Sequence, residues 1–126
     1  MFGLVGLADA VNILLEKEGI AGRFGHDDVA NNLGVEIMDI IDTFNKNHKN
    51  VYCEVTEDNF LLHAQVGSSD DINVTPGTRI PIGEEPEELI DHLLVLSRFH
   101  KYFPSGTGDI FPIDLTVHRN PEYVLD

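Results

Sequence analysis

From Gly67 to Glu85 the chain carries neither a helical nor a strand period. The stretch runs Gly67-Ser68-Ser69-Asp70-Asp71, then Ile72-Asn73-Val74-Thr75-Pro76-Gly77-Thr78-Arg79-Ile80-Pro81-Ile82-Gly83. Pro76-Gly77 signals a turn, and two prolines so close together argue against a central strand. A loop of this length inside a compact domain is functional or tied down by its neighbours. Regular structure must therefore come from the flanks, and they favour helix over strand.

Leu4, Leu7, Ala8, Val11, Leu14 and Leu15 recur at three- and four-residue steps, which predicts a helix from about Phe2 to Glu18, stopped by Gly19. Asp27 or Asp28 caps a second helix that runs to about Asn47 and buries Val29, Leu33, Ile37, Ile40, Ile41 and Phe44. Gly34 lowers helix propensity inside it and marks a close packing contact. Val51 to Val66 reads as extended. Pro86, followed by Glu87 and Glu88, opens a third helix with the stripe Leu89, Leu93, Leu96 and Phe99, ending near Tyr102. Asp109 to Val117 reads as a strand. Asn120-Pro121-Glu122 then announces a helix for which fewer than two turns of sequence follow. These signals predict a single partial domain over residues 1–126. It is a slice of a larger α/β protein, cut at the C-terminus and at the apolar, uncapped N-terminus, helix-rich and with too few strands to close a sheet.

The charge balance, 22 acidic against 8 basic residues for a net −14, provides no basic face for nucleic acid or for an anionic membrane. No apolar run is long enough to span a bilayer, and the apolar start lacks a basic leader. The expectation is a soluble, cytoplasmic chain. Cys53 is the one cysteine, which excludes an intrachain disulfide and a thiolate-rich zinc site. Beside Glu54 it reads as a buried, inert thiol. The six histidines, His26, His48, His63, His92, His100 and His118, contain no i, i+4 pair, so packing or surface roles are favoured over metal binding.

Two segments stand out as candidate ligand-facing loops. In Thr75-Pro76-Gly77-Thr78-Arg79, the arginine can offer a forked pair of donors to a carboxylate or phosphate. It can equally pair with Glu84 or Glu85 and merely fix the turn. Ser105-Gly106-Thr107-Gly108 precedes a strand, whereas phosphate-cradling loops place their glycines before a helix N-terminus, so a tight turn is favoured there.

Gly3-Leu4-Val5-Gly6-Leu7-Ala8-Asp9-Ala10 resembles a segment of the anaerobic ribonucleotide reductases. The run from Asn73 to Gly83 and the run from Phe103 to Pro112 resemble, nearly word for word, the YjjI-like branch of the glycyl radical enzymes. The resemblance covers essentially the whole chain, and members of that branch are several times longer. It implies that the chain is an internal piece of a ten-stranded α/β barrel with the active site inside. It also implies a glycyl radical, installed by a partner iron–sulfur activating enzyme and passed to a cysteine on a separate loop.

The sequence departs from the reductase pattern in several places. It contains no arginine-valine-x-glycine-tyrosine segment, Cys53 lies outside the context of the cysteine loop, and Pro76-Gly77 replaces an asparagine-serine pair. No cofactor is therefore expected in this chain, and no catalytic residue. Thr75, Gly77, Thr78, Arg79, Ser105, Gly106, Thr107 and Asp109 are the substrate-facing candidates. The partners implied are the rest of the parent polypeptide, the activating enzyme and, as a possibility left open, a second copy. Two rival readings stay open at this point: a self-standing acidic module that captures an anionic small molecule through Arg79, and an inert truncated product.

Overall fold

The computed structural model describes residues 1–64 and 74–108. Among them the order is β1 (Phe2–Leu4), α1 (Leu7–Lys17), α2 (Asp28–Asn47), a 3-10 turn (Glu54–Thr56), β2 (Leu62–Ala64) and α3 (Leu89–His100). The result is a small mixed α/β unit. β1 and β2 pair in parallel, with Phe2 opposite Leu62, Gly3 opposite His63 and Leu4 opposite Ala64. A parallel pair needs a long crossover, and the segment carrying α1 and α2 supplies it. The strand expected at 109–117 and the helix announced at Asn120 lie outside the described residues.

The helix expected from Phe2 starts later. Phe2–Leu4 joins the ladder to β2, and Gly6, with φ of 80°, turns the chain into α1. That left-handed conformation suits a residue without Cβ. At the other end α1 stops as Gly19 predicts. The Ile20 N–H reaches the Leu15 carbonyl at 2.9 Å and the Gly19 N–H reaches Glu16 at 3.1 Å, the two bonds of a Schellman stop.

The bounds of α2 match the sequence, but its buried face is turned. Ala30, Asn31, Gly34, Met38 and Asn45 are buried, whereas Val29, Ile40 and Phe44 are exposed and Leu33, Ile37 and Ile41 pack at the margin of the core. Gly34 sets this rotation. A Cβ on it would stand 2.9 Å from the Phe24 ring and 3.2 Å from Phe99, so the helix comes close to the core at that point. In α3 the buried residues are His92, Val95 and Phe99, while Leu89 and Leu93 are half exposed. α3 is apolar on most sides, so periodicity alone could not choose its face. It also begins at Leu89 rather than Pro86, with Glu88 extended at its N-cap.

Of the stretch expected to be extended from Val51 to Val66, Leu62–Ala64 does form β2, residues 51–61 instead make a turn-rich cap on α2, and residues 65–66 lie outside the described residues. The Asn59 amide donates to the carbonyls of Asn45, Lys46 and His48 at 2.8, 3.2 and 3.3 Å, which satisfies the end of the helix. Lys49 donates to the Asn59 side-chain oxygen at 2.6 Å. These local bonds outcompete a strand ladder. Cys53 caps the 3-10 turn and is half-buried rather than buried.

Candidate functional site

Residues 67–73 of the long loop lie outside the described residues; the remainder, 74–85, is anchored on two sides. On the first, it sits where β1 ends. The Gly77 N–H donates to Leu4 O at 3.0 Å, the Gly6 N–H donates to Thr75 O at 2.7 Å, and Val5 and Pro76 form an antiparallel bridge. The Asp9 carboxylate, in the first turn of α1, accepts the Thr75 N–H at 2.7 Å. Thr75 is thus held on both of its backbone groups. Two segments singled out in the sequence, Gly3–Ala10 and Val74–Arg79, form one structural unit.

On the second side the loop leans on the α1–α2 connection. A Cβ on Gly25, whose φ is 95°, would stand 2.9 Å from Ile80, so this loop and the connection touch. Glu84 accepts from Arg23 through its carboxylate and contacts the His26 ring through its carbonyl. The contact with Glu84 holds the Arg23 guanidinium even more firmly protonated than usual. Glu85 accepts the Gly83 N–H at 2.9 Å. Glu84 and Glu85, the two carboxylates that the sequence offered to Arg79, thus accept from Arg23 and from the Gly83 N–H.

Thr75, Gly77, Thr78 and Arg79 are all buried in this arrangement, with Arg79 at 3% exposure. They lie just beyond the carboxyl end of β1, the position that α/β folds use for ligand crevices. Ser105 is brought to the other strand, while Gly106 and Thr107 sit against the end of α3. Ser105 Oγ lies 3.2 Å from Nδ1 of His63 in β2, and Thr107 Oγ1 lies 3.4 Å from Nδ1 of His100. Gly106 takes φ of 90° and donates its N–H to Phe103 O at 3.0 Å, which closes the tight turn. Asp109 lies outside the described residues.

Sequence reasoning missed Asp9, Gly25 and His63 as site-building residues. The alternation Leu62-His63-Ala64 was the available signal for His63, since a polar residue between two buried ones must face the other side of a strand. Tyr102 also escaped notice. Its hydroxyl donates to Asp39 on α2, and burial first, then that carboxylate, pushes its pKa up to about 12. Among the described residues no group of three or more His, Cys, Asp or Glu side chains could hold a metal ion, and no helix is long and apolar enough to cross a membrane.

The family described as glycyl radical enzyme, YjjI-like, matches residues 1–126. An uncharacterised protein of Haemophilus influenzae is 45% identical over 129 residues, which cover 100% of this chain and 25% of its own length. The uncharacterised protein YjjI of Escherichia coli is 45% identical over 125 residues, covering 99% of this chain and 24% of its own. The chain thus spans about a quarter of the length of the curated relatives it matches. No solved structure matches it.

Proposed function

Because the chain belongs to the YjjI-like glycyl radical enzyme family, we propose that it serves as one segment of a longer glycyl radical enzyme. In that reading it supplies outer helices and the substrate-facing loops Thr75–Arg79 and Ser105–Asp109, and it is inactive alone. The fold it joins is an α/β barrel of ten strands, to which β1 and β2 contribute. The observation that carries the reading is the fixing of the Thr75–Arg79 loop at the carboxyl end of β1 by Leu4, Gly6 and Asp9. Active-site loops are mounted at that end of parallel strands on rigid elements.

The radical chemistry belongs to the parent polypeptide and to an iron–sulfur activating enzyme. This chain contains neither a radical-glycine segment nor the cysteine loop, and no step is assigned to its side chains. Its own part is confinement. Buried loops exclude water and position the substrate while the radical does the chemistry. The test is electron paramagnetic resonance after incubation with a matching activating enzyme and reductant. The polypeptide that includes the flanking sequence gives a glycyl doublet, and the 126-residue chain gives none. A doublet from this chain alone refutes the assignment.

A further inference from the structure

The sheet has two unlike faces. Leu62 and Ala64 of β2 are buried in the main core with α1, and Leu4 of β1 packs against that core. Side chains alternate along a strand, so His63 points to the opposite face, and Gly3 is its registered neighbour there. Ser105 reaches this face through His63 Nδ1 at 3.2 Å. His100 flanks the same turn. Its Nδ1 meets Thr107, and its ring lies 3.8 Å from where a Cβ on Gly106 would stand.

Parallel sheets are covered on both faces. A face waiting for a packed helix is apolar, whereas this one carries glycine, histidine and serine. We propose that the Gly3–His63 face is the wall of an enclosed polar cavity, with His63 and Ser105 as hydrogen-bonding groups for a small oxygen-bearing metabolite. Gly3 leaves room beside the imidazole, and Ser105 fixes the ring through Nδ1, which keeps Nε2 for a ligand oxygen. This inference rests on the reading that the chain is part of a longer polypeptide.

The test is thiol accessibility in the full native polypeptide, read by mass spectrometry of the peptide carrying each site. His63→Cys and Ser105→Cys are treated with methyl methanethiosulfonate or with a maleimide bearing a polyethylene glycol chain. Ile90→Cys, on the exposed apolar side of α3, reports whether the rest of the polypeptide covers this segment. A cavity wall predicts that positions 63 and 105 react with the small reagent and resist the large one, while position 90 resists both. Reaction of 63 and 105 with both reagents, or with neither, overturns the cavity; position 90 still shielded leaves the segment reading intact. Reaction of positions 63, 90 and 105 alike with both reagents shows the whole segment open to solvent and refutes the segment reading together with the cavity. Ser105→Cys serves where His63→Cys fails to fold.

Discussion

Replacing Asp9 by alanine removes the acceptor for the Thr75 N–H, a bond of 2.7 Å to a residue only 2% exposed. Leaving a buried donor unsatisfied costs ~1–3 kcal/mol. Losing a negative charge in the first turn of α1 adds ~0.3–1 kcal/mol. The expected loss is therefore about 2–3 kcal/mol. Asp9→Asn keeps an oxygen in place and forfeits only the charge, so it should lose ~1 kcal/mol. Equilibrium urea unfolding measures both variants as a fall in the midpoint at constant slope. Amide exchange at Thr75 provides the local check, since loosening the anchor speeds it in Asp9→Ala ahead of global unfolding. Asp9→Ala indistinguishable from wild type, with Thr75 exchange unchanged, would show that the loop does not depend on this bond.

Three further outcomes follow from the packing. Gly34→Ala should destabilise by ~1–2 kcal/mol, because overpacking against Phe24 and Phe99 (~1–3 kcal/mol) exceeds the ~1 kcal/mol gained in helix propensity; a Phe24→Leu background should relieve it, as a double-mutant cycle in urea would reveal. Tyr102 is protonated in the folded chain up to about pH 12 but ionises near pH 10 when unfolded, so its contribution is complete below pH 10 and is lost as pH rises toward 12. Wild type should therefore lose ~2–3 kcal/mol more than Tyr102→Phe across that window, measured by unfolding at stepped pH. Arg79→Ala should lower the melting temperature more than Arg98→Ala, since Arg79 is buried whereas Arg98 makes one exposed bond to Asn32 at 2.8 Å. In the full polypeptide Arg79→Lys should also lose turnover, because lysine lacks the planar fork; full activity there would leave only a structural role.

What the sequence disclosed was local. Gly19 as a stop, Asp27 and Asn47 as the approximate bounds of α2, the Pro76-Gly77 turn and the tight contact at Gly34 all depend on residues within a few positions or on one missing side chain. β1 was hidden because Phe2–Leu4 is a strand only by virtue of Leu62–Ala64, a distant partner that no local window contains. The buried faces of α2 and α3 were hidden for another reason. Ile40, Phe44, Ile90 and Leu94 are as apolar as the residues that are buried, so the pattern offers several faces and tertiary packing selects one. The pairing of Asp9 with Thr75 and of His63 with Ser105 is likewise a product of the fold, although both members of the first pair stood in segments already marked as distinctive.

The register of the sheet also imposes an order on synthesis. β1 leaves the ribosome sixty residues ahead of its partner Leu62, a delay of ~3–12 s at ordinary elongation rates. Helices form in microseconds, so α1 and α2 can meet long before the ladder closes. During that interval Phe2–Leu4 is an unpaired strand edge beside a half-built core, open to a neighbouring nascent chain. Chaperone dependence should therefore centre on the emergence of β2, and slowing translation between Asn47 and Leu62 should increase aggregation rather than relieve it.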